Sequence, residues 1–220
     1  MGGLNSDEYL AMNPEGKMPT LKVNESGESI PESDTICRYL LSKYAASSPS
    51  FQLENYKSNL IARLHDVYLS PIQGCMYKAS PPFASFGTRK KALAEFQRQM
   101  QIIDNLIEDD GMYLCGEEVS LADATLFPTM VFAKYMLPKF EIEEPLPSKI
   151  NKWFNSMIES DPDFRKVYDE VSSGPVLGWV TTCCVSHTLT SSRLGTDPRW
   201  PPSLGRSRTV GHYLSCGTSR

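Results

Sequence analysis

Two clusters in this chain bring together residue types that could do chemistry. The first is Lys17-Met18-Pro19 with Glu32-Ser33. Glu32 and Ser33 stand where an apolar helical period begins, and the free amides and dipole of a helix start favour an anion. Ser33 is expected to cap that helix, a role that can coexist with ligand binding. Lys17 either pairs with a carboxylate or stays solvated. The second cluster is Ser120-Leu121-Ala122-Asp123. Ser120 and Asp123 are spaced for a capping box with aspartate in place of glutamate, a structural device rather than a catalytic one. A third set, Cys183, Cys184, His187, His212 and Cys216, has metal-binding residue types. Its adjacent cysteines and 24-residue gap do not fit zinc-ligand spacing, so no metal is expected.

The elements that must position the first cluster are short. Residues 18–30 read as a β-hairpin, strand-like from Met18 to Val23, turning through Asn24–Gly27 and returning through Glu28-Ser29-Ile30. A helix comes next, with Ile36, Cys37, Tyr39, Leu40 and Leu41 as its apolar face and Cys37 in the core. Residues 45–50 read as a linker. Beyond them the helical period dominates. Leu60, Leu64, Val67, Tyr68, Ile72, Cys75 and Met76 share one face of a long helix kinked at Pro71. Leu93, Phe96, Met100, Ile103, Leu106 and Ile107 mark a second, and Ser120 opens a third. Ile150, Trp153, Phe154, Met157 and Ile158 mark a fourth, and a fifth starts after Asp161-Pro162 with Phe164, Val167 and Tyr168 inward. The period stops after Val171, and 172–220 is expected to be a disordered tail.

Composition narrows the class. With 40% hydrophobic and 22% charged residues the chain is ordinary globular stock. Its net charge of −4 gives no reason to expect nucleic acid as a partner. The charge is uneven: 174–220 carries about +4, against about −8 before it. No run is long and apolar enough for a membrane span, and no basic-then-apolar leader opens the chain. The Met1-Gly2 start with Ser6 fits a short myristoylation pattern, but one loose enough to arise by chance. The six cysteines lack a C-x-x-C pair and read as reduced thiols, which places the chain in the cytoplasm.

Three runs in order carry a resemblance. Asn13-Pro14-Glu15-Gly16-Lys17-Met18-Pro19, Glu32-Ser33-Asp34-Thr35-Ile36 with Tyr39-Leu40, and Tyr113-Leu114-Cys115-Gly116-Glu117-Glu118-Val119-Ser120-Leu121-Ala122-Asp123 resemble the cytosolic glutathione transferases over residues 5–171. The resemblance implies an α+β, mostly α fold. Residues 1–46 would be an incomplete thioredoxin-like domain, a β-hairpin plus helix, and 51–171 the all-α helical bundle. It implies that Pro19 lies after a cis bond and that the Met18 backbone pairs with the cysteinyl part of glutathione. Ser33 would bind the γ-glutamyl carboxylate and Glu32 would face the α-amino group. Lys17 would pair with the glycyl carboxylate, or remain solvated.

By the same resemblance, the Tyr, Ser or Cys that activates glutathione lies ahead of the segment where this sequence begins. No residue here is assigned to catalysis, and Tyr9 and Ser6 fall where the family has packing residues. The expectation is therefore a truncated isoform of a glutathione-conjugating enzyme, impaired as it stands. The alternative is a non-catalytic binding or interaction module of the same family. Glutathione is a co-substrate rather than a cofactor, the other substrate is a small electrophile, and a homodimer is expected. Tyr68, Ile72 and Met76 would wall the electrophile pocket.

Overall fold

The computed structural model describes residues 3–44, 55–107 and 111–173. The linker at 45–50, nearly all of the tail and the cysteine–histidine set lie outside the described residues. The chain divides into two compact units, with the division after Leu40.

The first unit opens with α1 (Asp7–Met12), whose N-cap Ser6 accepts the Tyr9 amide. Strands β1 (Thr20–Lys22) and β2 (Ser29–Pro31) form an antiparallel pair, with Thr20 opposite Pro31, Leu21 opposite Ile30 and Lys22 opposite Ser29. The turn between them closes through Gly27, at φ +76, where a residue bearing a Cβ would be strained. Helix α2 (Ser33–Tyr44) begins at once. It buries no side chain, so the expectation that Cys37 is core is corrected: Cys37 and its apolar neighbours are only half-buried, and Leu40 is exposed. Apolar spacing marks which face could be covered, but not whether anything covers it.

The second unit is a helical bundle. Helix α3 (Tyr56–Leu64) runs into a π-helical turn (His65–Leu69) and then a 3-10 helix (Ser70–Met76). The long helix kinked at Pro71 is therefore three helical forms end to end. The π turn inserts an extra residue per turn and rotates the residues beyond it. Ile61, Leu69, Ile72, Cys75 and Met76 are buried in the core, while Leu60, Val67 and Tyr68 are exposed. His65 pins the π turn, with Nδ1 2.9 Å from Asp66 Oδ1 and Nε2 2.8 Å from Thr129 Oγ1.

Helix α4 (Arg89–Asp104) presents Leu93, Phe96, Met100 and Ile103 inward. Its first residue is a clamp: the Arg89 guanidinium donates to the carbonyls of Cys75, Lys78 and Ala79, and lies over the ring of Phe83. Helix α5 (Leu121–Met136) is the most buried, then come a 3-10 turn (Leu137–Phe140), α6 (Ser148–Ser160) and α7 (Pro162–Ser173). Phe127 of α5 is the hub. It stacks on Phe154 at 5.1 Å and meets Trp153 and Phe164 edge-on. Phe164 and Tyr168 pack on this core as expected of α7, whereas Val167 is exposed.

Burial pushes the Cys75 thiol up to about 11. Only the thiolate reacts with alkylating reagents, so Cys75 should resist iodoacetamide at neutral pH in the native chain and label once urea unfolds it. Peptide mass spectrometry reads this directly; native labelling at Cys75 would contradict the packing described.

Candidate functional site

The hairpin and the start of α2 bring the first cluster together. Its foundation is a buried knot between α1 and the approach to β1. The Tyr9 hydroxyl donates to the Lys17 carbonyl at 2.6 Å and lies 3.0 Å from Thr20 Oγ1. Asn13 Nδ2 donates to the same two oxygens at 2.7 and 3.1 Å, while its own side-chain oxygen accepts the Glu15 amide. Both residues are almost fully buried, so the Lys17 carbonyl is held by two donors shielded from water. Tyr9 and Asn13 are one helical turn apart. Neither stood out from its residue type alone.

The chain then turns through a cis peptide at Met18-Pro19. Met18 is 49% exposed, and no described residue hydrogen-bonds its amide or carbonyl. Met18 lies two residues before Thr20, and Ser33 two residues after Pro31, the residue paired with Thr20, so both leave the same end of the β1–β2 pair. Glu32 occupies the left-handed region at φ 70, a conformation costing a non-glycine residue about 1–3 kcal/mol. Its carbonyl accepts the Ile36 amide at 2.9 Å, so Glu32 holds the cap position and Ser33 is the first helical residue. This corrects the expectation that Ser33 is the cap. Ser33 is exposed, with neither its amide nor its hydroxyl engaged by a described residue. Lys17 reaches Glu15 at 3.4 Å, both side chains about 70% exposed, a contact of little energetic weight.

The second cluster is fully buried. Asp123 Oδ2 accepts the Ser120 amide at 2.8 Å and the Ser120 hydroxyl at 2.7 Å. Oδ1 accepts the Leu114 amide and the Trp153 indole N–H, each at 2.9 Å. Burial pushes the Asp123 carboxyl above the usual carboxylate range, and these donors pull against that shift. The loop delivering Leu114 depends on glycine: a Cβ at Gly111 would come within 2.7 Å of the Gly116 carbonyl oxygen. The box therefore ties α5, the preceding loop and α6 to one side chain, and has no opening to a ligand.

Two family models match this chain: Glutathione S-transferase, N-terminal domain, over residues 1–48, and Glutathione S-transferase, C-terminal domain, over residues 77–156. The chain belongs to the glutathione S-transferase family. Among curated transferases, GstA of Escherichia coli O157:H7 is 28% identical over 134 residues, covering 59% of this chain and 63% of that protein. The probable chloroplastic glutathione S-transferase DHAR2 of Oryza sativa subsp. japonica is 23% identical over 176 residues, covering 79% and 58%. The chain thus spans about three-fifths of the length of these relatives. The glutathione transferase URE2P6 of Phanerochaete chrysosporium, solved with oxidized glutathione, superposes with a TM-score of 0.61 at 23% identity, covering 77% of this chain and 80% of that one. The transferase fold, a thioredoxin-like part followed by a helical bundle, accounts for the short sheet and the seven helices described.

Of the three residues expected to wall the electrophile pocket, Ile72 and Met76 are 5% and 0% exposed and pack in the core, and Tyr68 is exposed.

Proposed function

We propose that this chain binds glutathione on its first unit. The backbone of Met18 pairs with the cysteinyl part, and the Ser33 amide and hydroxyl receive the γ-glutamyl carboxylate. Glu32 faces the α-amino group, Pro19 shapes the turn, and Lys17 offers a charge to the glycyl end. The observation that carries this reading is an unengaged Met18 backbone and an unengaged helix start at Ser33 leaving the same end of the β1–β2 pair. A helix N-terminus with free amides and a hydroxyl favours a carboxylate over water. The strained cap at Glu32 fits a site held in one geometry for a ligand. The fuller activity proposed is that of the family, joining the glutathione sulfur to a small electrophile in the cytoplasm. The proposed assembly is a homodimer, and the exposed apolar residues Tyr56, Leu60, Val67 and Tyr68 on α3 and its π turn support it.

Calorimetric titration with glutathione, run beside a conjugation assay with an aryl chloride, separates the enzyme from the binding module. Saturable binding with turnover supports the enzyme, and saturable binding alone supports the module. No binding up to about 10 mM, a free energy near −2.7 kcal/mol, would overturn the proposal.

A further inference from the structure

We propose that the cleft between α4 and the start of α6 binds a neutral polyhydroxylated ligand, a mono- or disaccharide. The cleft is a cavity of about 500 Å³, within the range of about 300–1,000 Å³ usual for small-molecule sites. Two helices supply its polar walls, each from a single turn. Gln97 and Gln101 stand four residues apart on α4, and Ser148 and Asn151 three apart on α6. Residues at those spacings share one helix face. Met100 and Leu146, both buried, form the floor.

The two walls are riveted together from beneath. Asp104, the last residue of α4 and 3% exposed, accepts the Ile150 amide in the first turn of α6 at 2.8 Å. Lys149 Nζ adds a bond to the Ile107 carbonyl at 3.0 Å. No described residue hydrogen-bonds the side chains of Gln97, Ser148 or Asn151. Gln101 engages its amide nitrogen with Asp104 and Asn105, at 3.4 and 3.2 Å, and keeps its carbonyl oxygen. Both walls of a fixed cleft therefore present polar groups that the described protein does not itself satisfy.

The lining selects the ligand class. Among the described residues it includes no cationic side chain and no aromatic ring, so it suits neither an anion nor a flat aromatic. A carboxamide carries two N–H donors and an acceptor oxygen, and a serine hydroxyl both donates and accepts. Sugar hydroxyls also donate and accept, so each can meet such a group in either sense. The one charged lining group, the exposed Glu144 carboxylate, has two oxygens to accept from neighbouring hydroxyls. The C–H face of the sugar ring lies on the floor and on the rings of Pro145 and Pro147.

The test is the ¹⁵N spectrum of the full chain during addition of cellobiose, maltose or lactose. Side-chain NH₂ pairs report Gln97, Gln101 and Asn151 directly. At least one sugar should shift these pairs and the Ser148 amide saturably in the millimolar range. Gln97→Ala and Asn151→Ala should each weaken that binding about fivefold, the effect of one lost neutral hydrogen bond, with helicity unchanged. Three results would overturn the proposal. They are no saturable shift up to about 50 mM of any of the three sugars, an affinity indifferent to both substitutions, or a larger response of the same pairs to spermidine or inorganic phosphate.

Discussion

Asp123→Ala is expected to lower the stability of the helical unit by about 4 kcal/mol. The substitution leaves the amides of Leu114 and Ser120 and the indole N–H of Trp153 without an acceptor in a region closed to water. Each buried donor left unmet costs about 1–3 kcal/mol, partly relieved by relaxation. The loss is a large share of the 5–15 kcal/mol typical of a domain. Asp123→Asn should cost about half as much, because it keeps one acceptor oxygen while turning an amine toward N–H groups. An exposed cap would lose only about 1 kcal/mol; the excess here comes from one carboxylate serving the loop, α5 and α6 together. Urea titration of parent and variants measures it, and a midpoint shift no larger than that of an ordinary cap would contradict the packing described.

Ser33→Ala is expected to weaken glutathione binding about tenfold or more at little cost to the fold. A hydrogen bond to a charged group is worth about 1.5–3 kcal/mol, and 1.4 kcal/mol is a factor of ten. Ser33 is exposed and unengaged, so its hydroxyl has nothing to do in the unliganded chain. Ser33→Thr keeps the hydroxyl and should retain most of the affinity. Ser33→Glu sets a negative charge where the ligand carboxylate belongs and should abolish binding. Equal affinity in all four proteins would place the ligand elsewhere.

Most of the helical architecture was legible because it rests on period. The core faces of α4 and α6 obey three- and four-residue steps, and those steps survive folding unchanged. The capping box was legible because its two residues sit three apart and act on each other. In the segment from Leu60 to Met76, Ile72, Cys75 and Met76 are buried as their spacing indicated, whereas Val67 and Tyr68 are exposed in a π turn that leaves no mark in composition. At the candidate site, resemblance located Met18, Glu32 and Ser33, but it did not foresee that Glu32 takes the cap position. Nor did it show the Tyr9–Asn13 knot beneath Lys17, because the bonds cross from α1 to the hairpin. Such contacts depend on where two elements meet, information that single-residue spacing does not carry.

The most direct test of the glutathione site is a ¹⁵N amide spectrum of the chain recorded while S-methylglutathione is added. The ligand cannot react at sulfur, so binding is read apart from chemistry. A site at the hairpin and the start of α2 predicts saturable shifts confined to the amides of Met18, Ser33, Asp34 and their immediate neighbours. An unchanged spectrum at millimolar ligand, or shifts confined to the helical bundle, would contradict it.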